Sequence, residues 1–173
     1  MPNSSLNSSP TRRIAPVMTS DVTVTVIIPT FEDAARAVEA ARAVMSQAPG
    51  DGSWEVLVID DGSRHQAADE LNALRDTDGA RVIVLASNAG RSVARNRGAS
   101  EARGRYLLFM DCDCLPASGD FVARHLSVLD AGHVASCGDV KGPDESFWSK
   151  YQARSSARRR QAFGHGRTYM GTS

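Results

Sequence analysis

Residues 107–116 read LLFMDCDCLP. Asp111 and Asp113 alternate with Cys112 and Cys114 at the point where an apolar run stops. Carboxylate oxygens are hard donors that suit Mg2+ or Mn2+ bridging phosphate oxygens. A zinc site wants four nitrogen or sulfur ligands, usually from paired CxxC or HxxxH spacing. Here one residue separates Cys112 from Cys114, no paired histidines follow, and Cys137 lies on another element. Free cysteines mostly act as small buried hydrophobes. The aspartates are the better ligands. A second acidic pair, Asp60 and Asp61, ends another apolar run before Gly62. Arg91 and Arg95, four apart, share a helical face near its N-terminus, which favours anions.

The elements that must position these residues alternate between strand and helix. Apolar, β-branched runs at 22–28, 54–59, 81–86 and 105–110 read as strands, with a further one at 133–140. Helical spacing is seen at 31–47, 66–75, 88–104, 118–130 and 146–163. Strands that are apolar on both faces and separated by helices predict a parallel α/β sheet covered on both sides. Right-handed crossovers wind outward from the first strand until the chain reverses. Reversal between the third and fourth strands gives the order 3-2-1-4 and a switch point at the carboxyl ends of the strands. The strands end in PTFED, DDGS, SNAGR and DCDC. Taken singly, Asp60 and Asp61 need only shape a turn, and Asp111 need only cap a loop. Gathered on one edge, like charges are unfavourable unless a cation or a ligand's donors sit among them. A ligand site is the better expectation.

With 173 residues the chain has one domain's worth of core. Residues 1–21 lack an apolar signal region, are rich in Ser, Asn and Pro, and read as a disordered tail. Residues 22–145 form the expected binding domain, and 146–173 a basic helix leading into a further region. Net charge is zero, yet residues up to Glu145 carry −6 and those from Ser146 onward carry +6. The basic part is either a solvated face on an acidic body or a contact for anionic lipid, phosphate or nucleic acid. No apolar run approaches the roughly 20 residues needed to span a bilayer. Three cysteines are too few for a disulfide framework, so the expected location is cytoplasmic, the inner face of the membrane included.

No G-x-G-x-x-G follows the first strand and no G-x-x-x-x-G-K-[ST] is present. A nucleotide bound here would lack a glycine cradle. A divalent cation on Asp111 and Asp113, with Arg91 and Arg95, would have to neutralise its phosphates.

Four stretches together resemble family-2 glycosyltransferases of the GT-A fold: VTVIIPTFED (24–33), EVLVIDDGS (55–63), the run from Ser87 to Pro116, and YMGTS (169–173). The resemblance implies a Rossmann-like, mostly parallel sheet with strands beyond the first four. It implies a nucleotide-sugar site made by Pro29, Thr30, Phe31, Glu32, Asp60, Asp61, Asn88, Gly90, Arg91, Arg95, Asp111 and Cys112. Phe31 would lie near the base, Asp61 and Asp60 would bond base or ribose, and Asp113 with Asp111 would hold Mg2+ or Mn2+. The reaction implied is inverting transfer of a sugar from a nucleotide-diphosphate donor, UDP favoured, to an acceptor.

The family's usual PTYNE reads PTFED here, placing Glu32 where Asn is expected. The family's catalytic Asp or Glu, well after D-x-D, is not identifiable, nor is a Q-x-x-R-W. The chain is therefore expected to be the N-terminal portion of a longer enzyme. The alternative is a non-catalytic nucleotide-sugar-binding module or inactive fragment. A sugar-1-phosphate nucleotidyltransferase would want a basic, glycine-rich loop after the first strand, and PTFEDAAR is neither. Phe147, Trp148 and Tyr151 sit beside arginines in 147–163, which suits a peripheral membrane contact or packing against further chain. Nucleic acid is not an expected partner.

Overall fold

The computed structural model describes residues 22–47, 52–140, 142, 149–151, 154 and 157–158, the side chains of 65, 66 and 68 excepted. The tail over 1–21 and YMGTS lie outside the described residues. So does most of 146–163, although 149–151, 154 and 157–158 are helical.

Strand β1 (Val24–Thr30) and strand β2 (Trp54–Asp60) are the centre of the sheet. Runs of Val and Ile favour the extended backbone because their branched side chains pack well on a pleated surface. The strands pair in parallel, from Val24 opposite Trp54 to Thr30 opposite Asp60. Strand β3 (Ala80–Val84) flanks β2, and β4 (Tyr106–Phe109) flanks β1, both in parallel. The order β3-β2-β1-β4 matches the expectation. Only β1 and β2 are buried on both faces; the edge strands leave Val84, Leu107 and Phe109 exposed.

One face carries helices α1 (Ala34–Met45), α2 (His65–Asn72) and α4 (Phe121–Asp130). Val24, Val26 and Ile28 of β1, with Val56 and Val58 of β2, meet Ala37, Ala40, Ala41, Val44, Leu71 and Val122 there. The other face carries helix α3 (Arg91–Glu101), where Ile27, Leu57 and Ile59 meet Ala94. Alternation along each strand supplies the two layers. Helix α3 approaches closely because it presents Ala94 and Gly98. A Cβ at Gly98 would collide with Ile27 and press on Ile59.

Below α3, at the amino ends of the strands, lies a buried polar group. Thr25 donates to Glu55 Oε1 (2.8 Å), and Arg81 donates to Glu55 Oε2 (3.1 Å). The backbone N–H of Arg103 donates to Glu55 (2.9 Å), and that of Gly104 to Thr25 Oγ1 (2.8 Å). Arg81 also donates to the Glu101 carbonyl (3.0 Å), so the C-terminal end of α3 is tied to the sheet.

Two expectations fail. The helix expected from residue 31 begins at Ala34, because Phe31–Asp33 form a turn in which Glu32 has φ 56°. The stretch expected as a strand over 133–140 is irregular, and the described sheet has four strands. Topology disfavours a parallel strand there. Helices α1 and α2 cover one face while the chain steps from β1 to β3, and α3 covers the other on the return to β4. Helix α4 packs on the α1 face, so a parallel strand beyond β4 would complete a left-handed crossover, which proteins nearly always avoid. The segment stays on α4 instead, where Ser136 Oγ lies 2.9 Å from His125 Nδ1.

Two outcomes follow from this packing. Gly98→Ala gains helix propensity worth under about 1 kcal/mol but overpacks the core, which costs about 1–3 kcal/mol; denaturant unfolding should show net destabilisation. Burial pushes the Glu55 carboxyl up, but bonds from Arg103, Thr25 and Arg81 outweigh it and hold the group below its ordinary value. A lowered folded pKa gives stability that is present above the unfolded value and lost as pH falls through the folded one. The melting temperature of the wild type should therefore fall more steeply below about pH 4.5 than that of Glu55→Gln.

Candidate nucleotide-sugar site

All four strands run in parallel, so their carboxyl ends, and the loops that follow, share one edge. Side chains at this edge tie each loop to the next. Asp61 is buried at the end of β2, and its two oxygens accept from the N–H groups of Ala89 (2.9 Å) and Gly90 (2.8 Å). Those groups stand immediately before α3, where a negative charge also meets the positive end of the helix. Gly90 has φ 95°, a conformation that favours glycine. Gly62, at φ 76°, lies against the backbone of Ser87 and Asn88, leaving no room for a Cβ.

Asp60, 1 % exposed, uses Oδ1 to accept from the Ser63 N–H (3.1 Å) and hydroxyl (2.5 Å). Its Oδ2 is buried with no hydrogen-bond partner among the described residues. Ser63 Oγ accepts from the Glu32 N–H (2.7 Å). Glu32 Oε1 accepts from Arg64 Nε (3.0 Å) and N–H (3.2 Å), and the guanidinium holds the exposed Glu32 carboxyl below its ordinary range. The loops after β1 and β2 are thus joined.

At the end of β4, Arg95 Nη2 reaches Asp111 Oδ1 at 2.6 Å, while Arg95 Nε is buried without a partner among the described residues. The sequence places Arg95 beside phosphate; the structure places it on Asp111. Asp113 is exposed, and Cys114 Sγ lies 3.7 Å from its Oδ1. Burial, then the charges of Asp113 and Asp111, push the Cys114 thiol up to about 11. Burial raises Cys112 too.

The remaining candidates stand on the same edge. Pro29 and Thr30 are buried at the end of β1, and the Thr30 hydroxyl donates to the Asp33 carbonyl (3.0 Å). Phe31 is 47 % exposed. Asn88 and Arg91 are exposed, one before and one at the start of α3. Ser63 and Arg64 escaped the sequence reading. The signal for Ser63 is its place three residues after Asp60, where an aspartate closes a turn on the backbone. Arg64 has no such local mark.

A parallel sheet in the order 3-2-1-4, with helices on both faces and Asp61 bonded to the start of α3, makes an α/β domain of the GT-A architecture. The chain belongs to glycosyl transferase family 2, whose model matches residues 25–172. It is similar to the glycosyltransferase AglE of Haloferax volcanii, 33 % identical over 125 residues, which are 72 % of this chain and 40 % of AglE. Among solved structures it resembles the mannosyltransferase PcManGT from Pyrobaculum calidifontis in complex with GDP-Man and Mn2+. The TM-score is 0.62 and the identity 26 %, over 77 % of this chain and 39 % of that one. The fold also matches S. aureus TarS 1–349 in complex with UDP-GlcNAc, with a TM-score of 0.56 and 24 % identity, over 64 % and 32 % of the two chains. The chain therefore spans well under half the length of these relatives.

Replacing Asp61 by Asn puts an amide N–H2 against one of the two backbone donors. Leaving a buried donor unmet costs about 1–3 kcal/mol. Hydrogen exchange at Ala89 and Gly90 should accelerate in Asp61→Asn, and unchanged protection there would contradict the clamp.

Proposed function

We propose that this chain carries the donor-binding part of a metal-dependent glycosyltransferase. The sugar moves from a nucleoside-diphosphate donor, UDP favoured, to a glycan, lipid-linked or other acceptor with inversion at C1. The carrying observation is the set of carboxylates at the carboxyl edge of a 3-2-1-4 sheet, with Asp111 and Asp113 closing β4. The family assignment supports this reading, as do the GDP-Man and Mn2+ bound by one structural neighbour.

The donor set fits a hard cation. Asp111 gives one oxygen to Arg95, and no group of three or more His, Cys, Asp or Glu that could hold a metal occurs among the described residues. The chain would thus offer one or two carboxylates, and diphosphate and water oxygens would complete the shell. That suits Mg2+ or Mn2+, which usually keep waters and bind through few carboxylates plus substrate phosphates. Asp113, the exposed member, would be the principal ligand. A bound cation supplies charge neutralisation on the leaving diphosphate.

The protein's own groups have separate tasks. Phe31 offers an aromatic surface to the base. Asp60 and Asp61, both buried, fix the backbone beneath the site. Asn88, Gly90 and Arg91 line the start of α3, where anions are favoured. Arg95 orients Asp111 toward the ribose. The acceptor hydroxyl oxygen would bond to C1 as the bond from C1 to the diphosphate breaks; the departing diphosphate would take the electron pair, and the hydroxyl proton would pass to a general base that these residues do not identify. The basic stretch 147–163 is the proposed contact with the cytoplasmic face of a membrane; most of it lies outside the described residues.

Calorimetry with UDP tests the assignment. Wild type should bind UDP more tightly with Mn2+ than with EDTA, and Asp113→Ala should lose at least about tenfold in the Mn2+ arm, or 1.4 kcal/mol. Binding of UDP and Mn2+ by Asp113→Ala at wild-type affinity would remove Asp113 from the site. Binding of UDP-, GDP- or dTDP-sugars by the full-length protein without turnover on any acceptor would favour a non-catalytic binding module.

A further inference from the structure

We infer that Ser63 and Arg64 are positioning residues for the donor pocket. They form a latch that holds the Phe31–Glu32 turn in the shape the nucleotide meets. The inference rests on the donor-site reading above.

The latch is a chain of contacts running from the sheet to the surface. Asp60 is buried at the end of β2, where its position is fixed by the ladder to β1 and by the Leu85 N–H bonded to its carbonyl (2.8 Å). Its Oδ1 takes both the N–H and the hydroxyl of Ser63. With its proton committed to Asp60, the Ser63 hydroxyl has only lone pairs to offer, and one receives the Glu32 N–H at 2.7 Å. That N–H belongs to a residue with φ 56°, the one non-glycine residue in the left-handed region among the described residues. This backbone state costs of order 1 kcal/mol or more for a side chain with a Cβ and persists where surroundings hold it. Ser63 holds it from the backbone side. Arg64 holds it from the side-chain side, through two bonds to Glu32 Oε1.

The turn held in this way carries Phe31, half-exposed at the carboxyl edge of the sheet. A stacking surface contributes binding only if its orientation is set before the ligand arrives, because ordering it afterwards costs affinity. Ser63 and Arg64 touch neither base nor phosphate in this scheme. They act through Glu32 on Phe31.

The experiment uses the full chain with UDP and Mn2+ as the probe. Three variants, Ser63→Ala, Ser63→Thr and Arg64→Ala, are compared by calorimetry and by hydrogen exchange over the Phe31–Asp33 turn. Ser63→Ala should weaken binding about tenfold and speed exchange of the Glu32 N–H, with the melting temperature little changed. Ser63→Thr keeps the hydroxyl and should restore both readouts. Arg64 is exposed, so Arg64→Ala should fold normally and show a smaller loss in the same direction; it decides the matter if Ser63→Ala does not fold. Binding by Ser63→Ala, or by Arg64→Ala in that event, equal to wild type would overturn the inference while leaving the donor site intact. No binding by the wild type would overturn the donor-site reading, and the latch's role with it.

Discussion

The carboxyl edge of this sheet depends on one buried carboxylate. Asp61 leaves the end of β2 and accepts two backbone N–H groups just before α3. An ionised carboxylate removed from water must be met by donors or a cation. Here the donors are main-chain groups of the next crossover, so satisfying the charge also places the helix. Gly62 and Gly90 are consequences of that contact. One lets the backbone of Ser87 and Asn88 pass close, and the other turns the chain into α3. Arg95 then stands where it can reach Asp111 at the end of β4.

The acidic residues at this edge look alike in sequence and differ in use. Asp61 is turned inward on both oxygens. Asp60 is turned inward on one and leaves the other unmet. Asp111 is shared with an arginine, and Asp113 stands in solvent. Like charges can gather here because most of them are answered by the protein's own donors. The cation proposed for the site would answer what remains near Asp113.

The order of the strands was legible because β1 and β2 are buried on both faces, and such strands imply parallel pairing with helices on each side. The edge was legible too, since acidic and polar residues follow each apolar run. The partnership of Arg95 with Asp111 was not, because it depends on a helix face meeting a strand end and no local spacing encodes that. The segment 133–140 misled for a related reason. Its residues suit a strand, but with α4 on the α1 face a parallel strand beside β4 would need a left-handed crossover. Ser63 was readable in hindsight from its offset to Asp60, whereas Arg64 is joined to Glu32 only through the fold.

Helix α3 is fastened at both ends by carboxylates, Asp61 at its start and Glu55, through Arg81 and Arg103, at its finish. Between them Ala94 and Gly98 sit against the sheet with no slack. Across the same edge, the turn after β1 hangs on a hydroxyl and a solvent-facing ion pair. The two sides of the carboxyl edge are therefore held by different means, one by buried carboxylates and core packing, the other by contacts near the surface.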